Sequence, residues 1–86
     1  MEIKVGTKVR SIAGRDMGMD FLVIATEAGY AYLADGDVRR VENPKKKKLK
    51  HLQASSAVSA DIAGKLVSAG EVTNAEVRKA LAELNS

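Results

Sequence analysis

The chain has 86 residues, a formal net charge of +3 and a hydrophobic content of 45%. This length fits one small domain, since chains rarely divide into domains below about 100 residues. The absence of cysteine excludes disulfides and cysteine-bound zinc or iron–sulfur sites. No apolar stretch approaches the roughly 18 residues of a membrane span, and residues 1–5 lack the layout of a signal peptide. We therefore expect a soluble, cytoplasmic protein.

Short strands separated by turns are predicted in the first half of the chain. Residues 5–12 are rich in β-branched side chains and lead into a loop over 13–18, where Gly14 and Gly18 flank polar residues. The apolar run 21–25 is too short for a helix and predicts a buried strand.

The pattern of strands and turns continues to residue 53. Residues 30–34 predict a strand, and Asp35-Gly36-Asp37 predicts a tight hairpin turn into a returning strand over 38–41. Pro44 would end that strand, and a last short strand is predicted over 49–52. Strands at this regular spacing favour a small antiparallel β-barrel over residues 1–53.

The second half changes to a helical pattern. We expect a small-residue linker at 54–58, followed by a helical hairpin over 59–86. The first helix starts near Ser59 and ends at Gly70, with apolar residues at helical spacing: Ile62, Ala63, Leu66, Val67 and Ala69. The second starts with a capping box formed by Thr73 and Glu76, followed on one face by Val77, Ala80, Leu81 and Leu84.

This tail has three possible roles. We favour the reading in which it covers the apolar end of the barrel, because two helices of about ten residues are unstable alone in water. Its apolar face could instead dock in the groove of a partner protein through Val77, Leu81 and Leu84. Arg78 and Lys79 could alternatively touch RNA, although residues 55–86 carry a net charge of −1.

Positive charge is concentrated in one short segment. Residues 39–50 contain seven basic residues and only one acidic residue, Glu42, a net charge of +6, whereas the rest of the chain carries −3. Such a local concentration can attract a polyanion even when the whole protein is only mildly basic.

The segment 9–24 resembles a KOW motif, in which a strand, a glycine-containing loop and a second strand follow one another. Ser11-Ile12-Ala13-Gly14-Arg15-Asp16, Tyr32-Leu33-Ala34-Asp35-Gly36, Val38-Arg39-Arg40-Val41 and Lys50-His51-Leu52 extend the likeness to KOW-class large-subunit ribosomal proteins of archaea and eukaryotes. The chain is also similar to small bacterial KOW-domain proteins with a lysine run and a helical tail. The resemblance implies a mainly β fold, an SH3-like barrel with an α-helical tail, and ribosomal RNA as ligand.

The loop departs from the family pattern in one respect. Met19 and Asp20 follow Gly18, where family members often place a basic residue, and Asp16 and Asp20 would repel phosphate. We therefore expect the loop around Gly14 and Gly18 to fit RNA by shape, with Arg10 and Arg15 as its basic contributors.

The candidate RNA-binding residues lie mainly in the basic segment. A lysine run can be no more than a solvated loop. The adjacent lysine charges repel one another, however, and this repulsion is relieved when a phosphate backbone neutralises them. The residues expected to contact RNA are Arg10, Arg15, Arg39, Arg40, Lys45, Lys46, Lys47, Lys48, Lys50 and His51. Arg39 and Arg40 would point to opposite faces of a strand, so that one faces the ligand while the other pairs with Asp35 or Asp37.

Tyr30 and Tyr32 would share one strand face, where they could stack on RNA bases or, as we favour, pack on the barrel. The chain has a single histidine and no nucleophile motif, so we expect no catalytic site, no cofactor, no metal and no small-molecule substrate. The sequence thus predicts an RNA-binding protein of the ribosome or translation apparatus, with ribosomal proteins as further partners. A protein-interaction adaptor for the transcription or translation machinery is the alternative.

Overall fold

A computed structural model of the protein describes residues 2–68 and 70–85. Within these ranges a mainly β fold with two short helices is formed. The strands are β1 Thr7–Ser11, β2 Asp20–Glu27, β3 Tyr30–Ala34, β4 Lys45–Lys48 and β5 Leu52–Val58, and the helices are α1 Ala60–Val67 and α2 Asn74–Leu84. Neither helix has the length and apolar character needed to cross a membrane.

The described strands form one antiparallel sheet in the order β4-β3-β2-β1-β5. Val9 lies opposite Phe21 and Leu33 opposite Val23, which places the three central strands in register. The order ends at β4 on one side and at β5 on the other, so the sheet is not closed. β4 is therefore an edge strand.

Both faces of the sheet are covered by apolar side chains. One face carries the cluster of Val9, Phe21, Val23, Ala31, Leu33 and Leu52. On the other face, Leu22 and Ala34 pack with Ile62 of α1 and with Val77, Ala80 and Leu81 of α2. Because consecutive strand residues point to opposite faces, burial on both sides explains why β2 contains a continuous apolar run.

The predicted returning strand over 38–41 is wrong, because this stretch belongs to a loop that connects β3 to β4. Oδ1 of Asp35 accepts hydrogen bonds from the backbone amides of Asp37 and Arg39, at 2.9 and 2.8 Å. Further along the loop, the amide of Val41 donates to Oδ1 of Asn74 in α2. These side chains take the amides that a strand would use for pairing, and the lysine run 45–48 pairs with β3 instead.

Residues 49–58 also differ from the prediction. Leu49–His51 form a 3₁₀ turn, and the predicted linker at 54–58 lies inside β5, which pairs with β1. The hydroxyl of Ser55 donates to the backbone oxygen of Lys8 at 3.0 Å, which helps to hold this strand of small residues in place. Pairing with β1 thus outweighs the weak strand propensity of serine and alanine.

The predicted starts of both helices are confirmed, whereas α1 ends at Val67, earlier than the predicted end at Gly70. Ser59 accepts from the amide of Ile62 and begins α1, while the amide of Gly70 donates to the oxygen of Lys65 at 2.7 Å, beyond the end of this helix. Thr73 and Glu76 form the expected capping box of α2. Ala69, which we assigned to the first helix, lies outside the described residues.

Candidate nucleic-acid interface

The glycine loop, residues 12–19 between β1 and β2, is held by backbone turns. Gly14 and Gly18 have φ angles of 85° and 89°, which side chains with a Cβ rarely adopt. The amide of Gly18 donates to the oxygen of Ser11 at 2.8 Å, across the base of the loop. Gly18 therefore adopts a backbone conformation that is penalised in residues with a Cβ.

Asp16 anchors the glycine loop to β4. Its Oδ1 accepts from Nζ of Lys47 at 2.7 Å and from the hydroxyl of Ser11 at 2.6 Å, and its Oδ2 lies 3.7 Å from Nζ of Lys45. Burial favours a raised pKa for Asp16, but the hydrogen bonds from Lys47 and Ser11 and the charges of both lysines lower it overall. The carboxylate therefore stays ionised.

Asp20, at the other end of the loop, is paired in the same way. Arg10 donates from Nε and Nη2 to its two oxygens at 2.8 and 3.2 Å, and Nζ of Lys8 lies 3.8 Å from Oδ2. The hydrogen bond from Arg10 lowers the pKa of Asp20 below its ordinary value. Each of the two carboxylates expected to repel phosphate is thus accompanied by two cations of the protein itself.

The four lysines of β4 divide between the two faces of the sheet. Lys45 and Lys47 lie opposite Leu33 and Ala31, on the face of the first apolar cluster, and Lys47 is only 9% exposed. It also donates to the backbone oxygen of Ala13 at 2.8 Å. These two lysines therefore hold the glycine loop.

The other two lysines share a face with the tyrosines. Lys46 lies opposite Tyr32 and Lys48 opposite Tyr30, and we call these four residues the tyrosine–lysine surface. Nζ of Lys46 lies 4.7 Å from the ring centre of Tyr30 and 5.8 Å from that of Tyr32. Both rings are half-buried and belong to neither of the two buried clusters.

Glu27, which the sequence reasoning did not single out, organises the tyrosine–lysine surface. Its Oε2 accepts from Nζ of Lys46 at 2.9 Å and from the hydroxyl of Tyr32 at 3.1 Å. The hydrogen bonds from Lys46 and Tyr32, and the charge of Lys46, lower the pKa of Glu27. Its position in the sequence gives no sign of this role, because the contact depends on the register of β2, β3 and β4.

The two arginines before β4 have different surroundings. Nε of Arg40 lies 3.0 Å from Oε2 of Glu42. The pKa of Glu42 falls to about 2, mainly because its carboxylate accepts a hydrogen bond from the side-chain amide of Asn74. Hydrogen bonds from its own backbone amide and from Arg40 lower this pKa further. The ion pair expected with Asp35 or Asp37 does not form among the described residues. Arg39 has no acidic partner within 4.0 Å there.

Among the candidate cations in the described part of the chain, four lack an acidic side chain within 4.0 Å: Arg15, Arg39, Lys48 and Lys50. His51 is half-buried, and its backbone oxygen accepts from the amide of Ile12 at 3.0 Å. Within residues 2–68 and 70–85, no three His, Asp or Glu side chains are grouped closely enough to hold a metal ion.

Comparison of the sequence with protein-family models and with curated proteins finds no match. The physical arrangement around β4 is therefore the basis for a functional proposal. It combines unpaired cations, half-exposed aromatic rings and an edge strand made only of lysine.

Proposed function

We propose that this protein binds structured RNA of the ribosome through the surface around β4. The observation that carries the proposal is the division of the lysine run. Lys46 and Lys48 stand beside two tyrosine rings on one face, while Lys45 and Lys47 fix the glycine loop on the other. A solvated loop of lysines would need neither arrangement.

The four unpaired cations lie in segments that β4 joins together. Arg15 belongs to the loop that Asp16 anchors to β4, Arg39 to the loop before β4, and Lys48 and Lys50 to the end of β4 and the turn after it. A cation that pairs with no carboxylate of the protein has no ion pair to break when it binds phosphate, and each phosphate contact releases counterions from RNA.

The tyrosine rings supply a second kind of contact. Bases in loops and bulges of RNA can stack on aromatic side chains, and a cation over the ring adds to the attraction. Phosphate contacts give affinity and position, whereas stacking tolerates many sequences. We expect recognition of RNA shape with modest sequence specificity.

The KOW resemblance supports ribosomal RNA as the ligand. The open antiparallel sheet and the glycine loop between β1 and β2 are compatible with the SH3-like barrel that the resemblance implies. On this proposal the protein belongs to the KOW class, acts in the cytoplasm and meets ribosomal proteins where it docks.

The position of the helical tail, residues 59–86, argues against the adaptor alternative. Val77 is fully buried and Leu81 is 8% exposed, because both pack on Leu22 and Ala34 of the sheet. The face assigned to a partner's groove is therefore occupied within the protein. Deleting residues 56–86 would cut β5 and expose this core, so single surface substitutions are the better test.

The test is sucrose-gradient sedimentation of tagged protein from lysates at low and high salt, with a nuclease-treated lysate alongside. We expect comigration with large ribosomal subunits at low salt, and loss of it at high salt or after nuclease. Lys48→Glu should move the protein to the top of the gradient, whereas Lys79→Glu, which changes an exposed lysine of α2, should not. Wild-type protein confined to the top at low salt would contradict the proposal.

A further inference from the structure

A cavity of about 250 Å³ lies between the glycine loop and the loop that precedes β4. Its apolar lining consists of Phe21, which is buried in the core, the half-buried Met19, and Val38, which is 69% exposed. An exposed valine beside an apolar recess leaves hydrophobic surface in contact with water. A ligand with an apolar face would cover it.

The polar part of the lining is mostly cationic. Arg15 and Arg39 contribute from the two loops, and neither has an acidic partner within 4.0 Å among the residues that the structure describes. Lys45 and Asp16 also line the cavity, and Nζ of Lys45 lies 3.7 Å from Oδ2 of Asp16. The cavity therefore combines an apolar recess with two cations that can bind phosphate.

We propose that this cavity receives one unstacked nucleobase of the bound RNA, with Arg15 and Arg39 holding the phosphates on either side of it. This inference rests on the proposed RNA-binding function and specifies which RNA feature is recognised. The volume is smaller than the roughly 300–1,000 Å³ of sites for drug-sized ligands. A single base presents a flat apolar face with a phosphate on each side, which matches the lining.

The anchor of the glycine loop keeps the cavity in shape before RNA arrives. Lys47 and Ser11 fix Asp16, and Asp16 lies next to Arg15 in the chain. On the other side, Asp35 fixes the amide of Arg39 at 2.8 Å. Both arginines are thus presented from loops that are already ordered, which reduces the conformational entropy lost on binding.

A base inside a regular duplex cannot enter such a cavity, because it remains stacked and paired. The proposal therefore predicts a preference for RNA with a bulged nucleotide over the same RNA fully paired. The probes are two fluorescently labelled RNA hairpins with the same stem, one of which carries a single bulged adenosine. Binding is measured by fluorescence anisotropy at low salt.

The test variant is Val38→Asp, and the matched control is Val67→Asp. Both valines are largely exposed, at 69% and 78%, and both substitutions change the net charge by one unit, but Val67 lies on α1 and does not line the cavity. We expect wild type and Val67→Asp to bind the bulged hairpin at least about tenfold more tightly than the paired one. Val38→Asp should lose this preference.

The other outcomes separate the two proposals. If wild type binds both hairpins equally, or if Val38→Asp keeps the preference, the cavity does not receive a base, although RNA binding itself stands. If wild type binds neither hairpin at low salt, the proposed RNA-binding function fails and the cavity assignment fails with it. Urea unfolding of both variants confirms that each is folded.

Discussion

Nζ of Lys47 lies 2.7 Å from Oδ1 of Asp16, a residue 31 positions earlier in the chain. Their side chains are 9% and 12% exposed, so water screens this ion pair much less than a surface pair. The contact joins the glycine loop to the edge strand. One lysine of a run expected to face RNA is thus a structural element of the loop beside it.

Lys47→Ala should destabilise the fold by about 2 kcal/mol, because it leaves a largely buried carboxylate without its main cation. We expect less than the loss from a fully buried pair, since Lys45 remains 3.7 Å from Oδ2 of Asp16. Lys48→Ala, which removes an exposed lysine of the same strand, should change the free energy of unfolding by less than about 0.5 kcal/mol. Urea unfolding measures both, and equal effects would contradict the anchoring role.

Asp16 should also make stability depend on pH. Its pKa in the folded protein is lowered, so its contribution is fully present above the unfolded-state pKa of about 3.9 and is lost as the pH falls below that value, through the folded-state pKa. Asp16→Asn removes this titration. Urea midpoints between pH 6 and pH 3 should fall less steeply for the variant than for wild type, and parallel curves would rule out Asp16 as a source of acid sensitivity.

Local signals in the sequence identified much of the fold. The apolar run of β2, the capping box of Thr73 and Glu76, and the turn at Gly70 depend on neighbours within a few residues, and the structure contains all three. β4 could not be found in this way. Four lysines show no strand pattern, and the strand exists because Lys47 meets Asp16 and pairs with Ala31, both distant in sequence.

In the candidate site, too, some features follow from the local sequence and others depend on contacts between distant residues. The cations are recognisable in the sequence, but which of them form ion pairs is not, because pairing depends on strand register and loop position. Arg10 is held by Asp20 and Lys46 by Glu27, whereas Arg15 and Arg39 are left unpaired within the described residues. The apolar cavity between two loops was missed because its lining residues are scattered through the first half of the chain.

The loop after β3 should be sensitive to substitution at Gly36. A Cβ at Gly36 would overlap the backbone oxygen of Asn74 and lie 2.9 Å from Cγ of Arg78, both in α2. Gly29 is the matched control, because its φ of 78° is almost the same as the 79° of Gly36, yet a Cβ there meets no atom of residues 2–68 or 70–85 within 4 Å. The comparison separates the cost of backbone conformation from the cost of crowding α2.

We expect Gly29→Ala to cost about 1 kcal/mol of folding free energy, from the left-handed conformation alone. Gly36→Ala should cost about 3 kcal/mol, because the helix must also move. Thermal and urea unfolding of the two variants provide the measurement. Equal stability of the two alanine variants would contradict the close approach of Gly36 to α2.

The unpaired cations should determine how RNA binding depends on salt. If Arg15, Arg39, Lys48 and Lys50 each neutralise one phosphate of single-stranded RNA, the logarithm of the affinity should fall with the logarithm of salt with a slope of about −3. The double variant Lys48→Ala, Lys50→Ala should reduce the magnitude of that slope by about 1.4, because two phosphate contacts are lost.

The control for this measurement is Lys65→Ala, Lys79→Ala, which removes the same charge from the two helices. It should keep the wild-type slope, since a change in net charge alone releases no counterions from RNA. Anisotropy titrations at several salt concentrations give both slopes. Equal slopes for the two double variants would show that Lys48 and Lys50 do not contact phosphate, and the binding surface would then have to be sought away from the end of β4.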